Sequence, residues 1–258
     1  MNFLAVIGRI VLDFLQLIGR LTVFTGRAIV CSLTPPFHIR NVLTQVMNIG
    51  YYSLPIVGMT AIFTGAVLAL QTYVGGARIN AENIVPNIVV LAITRELGPV
   101  LGGIMVAARV SSAMAAELGT MRVTEQIDAL TTLSTNPFRY LVAPRIIAAT
   151  LVLAPLVVVA DIIGVMGGYV VATGKLDFNG AVYLQNTANF LEAYDVISGL
   201  VKAAVYGFII ALMGCFHGYY SEGGAEGVGN ATTKAVVSAC VLILVANYFI
   251  TNIFFSTT

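Results

Sequence analysis

Apolar residues run through nearly the whole chain, and the sparse polar positions between them decide what each stretch can form. Residues 1–33 are apolar except that Arg9, Asp13, Gln16, Arg20 and Arg27 recur at helical spacing on one side. A spanning helix needs about 20 mostly apolar residues, and this stripe would leave several charges in hydrocarbon. A helix lying in the interface, basic side toward headgroups, fits better. A secretory signal is a weak reading, because no basic segment precedes a short apolar core and cleavage site. Thr34-Pro35-Pro36 then ends the helix, since proline lacks a donor and disfavours helix in its predecessor.

Five spans are predicted after it. The first covers 46–74, with a kink at Pro55, and the second covers 84–108 and holds Arg95, Glu96 and Pro99. The third, 141–173, contains Pro155 and Asp161; the fourth, 196–217, includes Lys202 near its start. The fifth, 234–255, has no charge after its first residue. The expectation is an all-α integral membrane protein with one domain over 1–258: an interfacial amphipathic helix, then a five-helix transmembrane bundle over 46–255.

Composition agrees with that pattern. Of 258 residues, 58% are hydrophobic and 10% charged, where a soluble domain has about 25% charged. A net charge of +1 argues against a nucleic-acid partner, which needs a clustered basic surface. Cys31, Cys215 and Cys240 are far apart and read as small core residues; His38 and His217 lack metal-ligand spacing. Charge placement sets orientation. Arg9, Arg20, Arg27, Arg40, Arg109, Arg122, Arg139, Arg145 and Lys234 fall on one side, against Arg78 and Lys175 on the other. That predicts a cytoplasmic N-terminus, a cytoplasmic 109–140 loop and an outer C-terminus. The outer segment 174–195, acidic and aromatic, suits a helix facing the surface or a partner.

Candidate chemistry concentrates between Leu91 and Leu133. Arg95 and Glu96 are ionisable residues inside a span, which usually face a bundle interior or watery cavity. Consecutive helical residues do not face each other, and Gly98-Pro99 loosens the helix after them. Two readings follow: a polar site meeting a lipid headgroup, or interhelical salt bridges. Asp161 could pair with Lys202 or Arg95, or form a protonated contact. Gly98 and Gly102, then Ala107, Ser111, Ala115 and Gly119, are spaced four apart, which lets helices approach closely. Gly164, Gly167 and Gly168 say the same of the third span.

Within 119–133, Val123, Ile127 and Leu130 share a face while Arg122, Glu125, Gln126 and Asp128 cover the rest. More acid than base suits an anionic leaflet poorly, so a docking helix for a cytoplasmic protein fits better. The Gly-rich stretch 218–234 lacks a phosphate-binding pattern and reads as a flexible turn capped at Asn230. With no catalytic motif in the chain, function must come from moving something or organising partners.

RELGPV (95–100), the A-x-R-x-x-S-A-x-x-A-E-x-G-x-M run (107–121), R-x-T-E-Q (122–126), NPFRYLVAPR (136–145) and GVGNATTKAVV (227–237) resemble the MlaE family of permeases. The resemblance implies the membrane subunit of an ABC transporter moving phospholipids between the inner and outer membranes of Gram-negative bacteria. It implies a homodimer in the inner membrane, an MlaF-like ATPase below with an MlaB-like STAS-domain protein, and an MlaD-like MCE hexamer above. ATP and Mg would be bound by the ATPase, leaving this chain without a cofactor or metal of its own. Glu117, Arg122, Glu125, Gln126 and Asp128 would couple to the ATPase. Arg95 and Glu96, with Leu68, Gln71, Tyr73 and Val74, would line the lipid cavity, whose wall at Gly75-Gly76 departs from bulkier residues in the family. The rival readings are a self-contained channel or secondary transporter using Arg95, Glu96 and Asp161, and a scaffold without transport.

Overall fold

A computed structural model describes residues 3–36, 38–78 and 84–255; in the first helix it describes side chains from Val11 onward, apart from Phe14. The proposed role of Arg9 therefore lies outside the described side chains. The helices are α1 (Phe3–Leu33), α2 (Ile39–Ile49), α3 (Leu54–Ala77), α4 (Val85–Ala92), α5 (Gly98–Val106) and α6 (Ser112–Val123). They continue with α7 (Gln126–Thr132), α8 (Ala143–Lys175), α9 (Gly180–Phe190), α10 (Ala193–Tyr219) and α11 (Gly224–Phe255). No strand occurs among the described residues.

Six stretches are long and apolar enough to cross a membrane: Val11–Leu33, Ile39–Ala77, Val85–Val123, Phe138–Lys175, Ala193–Tyr219 and Gly224–Phe255. The chain is an all-α, multi-pass membrane protein. By length and composition α1 qualifies as well as the five others. Among its described side chains Phe24 and Ala28, one turn apart, are buried, and Phe24 packs into Phe138, Phe216 and Tyr219 at the end of the bundle where Arg122 and Arg139 also lie. Those arginines make this the basic end of the bundle.

Several boundaries differ from the sequence reading. Pro55 does not kink a span; it sits in the first turn of α3, after a 3₁₀ turn at Tyr51–Ser53, where its missing N–H costs nothing. The second span does not end at 108. Its small-residue ladder keeps the helix going to Val123, through π-helical turns at Ile93–Leu97 and Ala107–Ser111. The stretch 218–234 is not a flexible loop. Residues from Gly224 onward are helical, and Asn230 lies inside α11 and caps nothing. Packing overrides the low helix propensity of glycine there: Gly227 sits directly on the Glu222 carbonyl, and Val228 fills the space over Gly119.

α8 and α10 form the centre. Between apolar helices in lipid the drive to associate is packing and hydrogen bonding, and small residues permit the closest approach. A Cβ on Gly65 of α3 would fall on the Gly164 carbonyl of α8, and one on Gly167 would fall on the Ile62 carbonyl. Gly207 of α10 meets the Ala149 carbonyl of α8 in the same way. The Ala107-to-Gly119 ladder has its counterpart on α10: a Cβ on Gly214 would lie 2.9 Å from the Ser111 carbonyl oxygen, and one on Gly218 2.9 Å from that of Ala115.

At the opposite end, α9 is the helix anticipated within 174–195. Asn179 caps it, accepting hydrogen bonds from the Ala181 and Val182 amides at 3.0 and 3.3 Å. Tyr183 is buried against Tyr169 and Phe178, and burial pushes its phenol up to about 12. Asn179→Ala should cost about 1 kcal/mol locally. Hydrogen exchange should then quicken in α9 while α8 and α10 stay protected; unchanged exchange in α9 would refute the cap's role.

Candidate functional site

The second span carries a charged cluster near the end opposite the basic one. The π-helical turn at Ile93–Leu97 widens the helix where Arg95 and Glu96 stand, and Pro99 follows. Proline has no N–H to give to the carbonyl four residues back, so the Arg95 carbonyl lacks its ordinary helical donor. Lys202 of α10 supplies one, its Nζ donating to the Arg95 oxygen at 2.8 Å. The same ammonium donates to Glu96 Oε1 at 2.7 Å. Lys202 is fully buried, so both acceptors are needed to compensate its desolvation.

Glu96 is satisfied on its other side by α11: Asn247 Nδ2 donates to Oε2 at 2.9 Å and Thr251 Oγ1 to Oε1 at 3.0 Å. Tyr206 of α10 donates to Asn247 Oδ1 at 2.9 Å, which orients the amide. Arg95 turns the other way. Its Nε and Nη2 both reach Asp195 Oδ1 at 2.6 Å, and its guanidinium stacks 4.4 Å from the Phe255 ring centroid. Asp195 is buried and also accepts from the Glu192 amide at the start of α10. The neighbours Arg95 and Glu96 thus pair with different residues of α10, seven positions apart. This is a two-pronged interhelical clamp whose α5-side groups keep part of their surface open, with Arg95 at 31% and Glu96 at 38%.

Asp161 pairs with neither Lys202 nor Arg95. It lies over Gly98, where any Cβ would strike its carboxyl, and its Oδ1 has no hydrogen-bond partner. It borders a 270 Å3 apolar cavity between α4, α8, α9 and α10. The four α3 residues assigned to the lipid cavity divide. Leu68 and Tyr73 pack toward Val85, Val89 and Tyr183, with Tyr73 edge-on to Phe178 at 5.9 Å. Gln71 and Val74 are exposed. Among the described residues no hydrogen bond, ion pair or ring contact joins these four to Arg95 or Glu96 within one chain.

The loop after α6 holds the other named group. Glu117 pairs with buried Arg145 at 2.8 Å, and Arg145 also donates to the Leu141 carbonyl at 2.7 Å. Arg122 pairs with Asp128 at 2.7 Å, folding α7 back onto the end of α6. Glu125 is the pivot between the two helices, exposed and left-handed at φ 59°. Gln126 begins α7 and is exposed; Ile127 is buried, but Val123, expected on the same face, is 41% exposed. The break at Thr124–Glu125 rotates α7 relative to α6, so a single helical wheel across it fails.

Sequence reasoning missed Asp195, Asn247, Thr251 and Arg145. A signal existed for the first three. Asp195 and Lys202 are seven apart on one helical face, and Asn247 and Thr251 are four apart in an otherwise apolar helix.

Apolar crossings tied internally by buried ion pairs, with a short exposed helix between two of them, define a polytopic membrane protein. Comparison with known proteins makes that specific. The family described as Permease MlaE matches residues 42–253, and the chain belongs to that family. A probable ABC transporter permease protein of Rickettsia conorii is 54% identical over 249 residues, covering 96% of each chain. One of Synechocystis is 40% identical over 234 residues, 91% of this chain and 89% of the relative. The intermembrane phospholipid transport system permease protein MlaE of Haemophilus influenzae is 31% identical over 257 residues, 98% of each. The chain is a transporter permease subunit.

Proposed function

We propose that this chain is the membrane half of a homodimeric phospholipid transporter in a bacterial inner membrane, driven by a separate ATPase. ATP and Mg belong to that ATPase, an MlaF-like chain with an MlaB-like STAS protein; an MlaD-like MCE hexamer receives or delivers lipid on the far side. With α1 lying in the interface and five spans crossing, the N-terminus and the basic end face the cytoplasm, and the C-terminus faces the periplasm.

The observation that carries this reading is the single 39-residue run Val85–Val123. It holds the Arg95–Glu96 clamp at one end and leads into α7 at the other. A displacement of α7 by the ATPase would travel along α6 and α5, which are closely packed on α10, to the clamp. The π-helical turns within the run are places where register can shift. Lipid would meet the open sides of Arg95 and Glu96, with Leu68, Gln71, Tyr73 and Val74 contributed across the dimer. The commitment of Arg95 and Glu96 to partners on α10 speaks against an ion path through them.

Co-reconstitution with the ATPase in liposomes should give ATP-dependent phospholipid transfer. Flux driven by an ion gradient with this chain alone would favour a channel instead. Glu125 is exposed, makes no ion pair among the described residues and holds a backbone conformation lysine tolerates equally, so Glu125→Lys should leave the fold intact. Together with Gln126 and Asp128 it offers the acidic surface of α7. The variant is expected to lose ATPase co-purification; retained association and transport would remove α7 from the mechanism.

A further inference from the structure

At the basic end, away from the clamp, a 330 Å3 cavity opens between α2 and α6, lined by Gln45, Asn48, Tyr52, Arg109, Ala113 and Glu117 among others. Arg109 is its centre. One nitrogen, Nη1, donates to the Asn48 carbonyl at 3.0 Å and to the fully buried Ser53 hydroxyl at 2.8 Å. The first bond gives a donor to the Asn48 carbonyl in the last turn of α2, where helical donors run out. The guanidinium also lies 5.7 Å from the Tyr52 ring centroid. These contacts hold the group in place, while its Nε and Nη2 donors have no partner among the described residues. Across the cavity, the Glu117 carboxylate is already paired with buried Arg145. The lining therefore presents uncompensated positive charge together with the uncommitted side-chain amides of Gln45 and Asn48.

We infer that this cavity binds the phosphate of a phospholipid from the leaflet at the basic end, with an acyl chain along α3. Arginine's remaining fork matches phosphate geometry. The exposed tyrosines Tyr51 and Tyr52 mark the depth of the headgroups. A free anion would need only the polar cavity, but an exposed apolar stripe leads from its mouth into the span: Tyr52, Ile56, Met59 and Phe63. A ligand that is polar at one end and hydrocarbon at the other accounts for both. The site rests on the membrane placement of the chain and stands or falls separately from the transport reading.

Delipidated full-length protein in detergent, titrated with dioleoylphosphatidylglycerol and read by native mass spectrometry, tests it. Asn48→Asp changes an exposed side chain and places a carboxylate where it can take up the free Arg109 donors. One lipid-binding event per chain should weaken by about tenfold, roughly 1.4 kcal/mol, with an unchanged melting curve. Arg109→Lys, which keeps the charge but loses the fork, should weaken the same event. Dioleoylglycerol, lacking the phosphate, should not occupy the site, and saturating inorganic phosphate should not displace the lipid. Equal binding by wild type and Asn48→Asp would overturn the proposal, as would equal binding of dioleoylglycerol. Displacement by inorganic phosphate would assign a free anion, and a dimer that dissociates in Asn48→Asp would assign the face to a second copy; either result also overturns it.

Discussion

Lys202→Met should lower the thermal stability of the detergent-solubilised protein by about 3 kcal/mol, from the cost of breaking a buried ion pair. For a chain of this size that is a drop in Tm on the order of 10 °C. The substitution removes a fully buried ammonium that serves two acceptors, Glu96 and the carbonyl of Arg95. Methionine fits the volume, so the loss comes from the stranded acceptors and not from a cavity. The carbonyl is the less forgiving of the two, because Pro99 denies it the ordinary helical donor four residues on. Glu96 retains Asn247 and Thr251 and keeps 38% of its side chain accessible, which holds the estimate at the low end. Adding Glu96→Gln to Lys202→Met should recover part of the loss, since no carboxylate is then left unpaired. A single variant as stable as wild type, or a double variant no better than the single, would show that the clamp does not hold α5 to α10.

Gly65→Val should be more damaging still, costing more than about 4 kcal/mol, the range reserved for disruption of packing that cannot relax. The Cβ would overlap the Gly164 carbonyl on α8, and backbone cannot swing aside as a flexible side chain can. α3 and α8 must separate, and Gly167 against Ile62, along the same contact, separates with them. Little or no monodisperse protein is expected after extraction. Gly75→Ala is the control: nothing lies within 4 Å of a Cβ there, and the helix gains propensity. Recovery of Gly65→Val at wild-type yield and stability would show that the close approach is dispensable.

Much of the architecture was legible from residue types. Long apolar runs with 10% charge dictate helices in lipid, because every backbone polar group in hydrocarbon must be satisfied within its own segment. The small-residue ladder from Ala107 to Gly119 identified a packing surface correctly, and α10 carries the glycines that meet it. The Gly-rich 218–234 stretch misled, since its low local helix propensity is overridden by the packing of Val228 on Gly119, a residue distant in the chain. The break between α6 and α7 was hidden for a related reason. Glu125 is not a residue type that announces a left-handed pivot, and the Arg122–Asp128 pair closes across it only once the turn exists.

The charged pair shows the division most clearly. That Arg95 and Glu96 sit in a span, and cannot satisfy each other from adjacent positions, follows from sequence and helical geometry alone. Which partners they take does not, because an ion pair depends on the relative rotation and depth of helices about a hundred residues apart in the chain. Packing of glycine against backbone at α3–α8, α8–α10 and α6–α10 sets that rotation and depth. It brings Asp195 and Lys202, on one face of α10, within reach of Arg95 and Glu96, and leaves the Oδ1 of Asp161, equally available by sequence, without a hydrogen-bond partner among the described residues. Sequence alone determined that this chain lives in a membrane and where its scarce charges stand along it. Tertiary structure decided which charges meet, because only close-packed helices bring side chains from different spans within hydrogen-bonding reach.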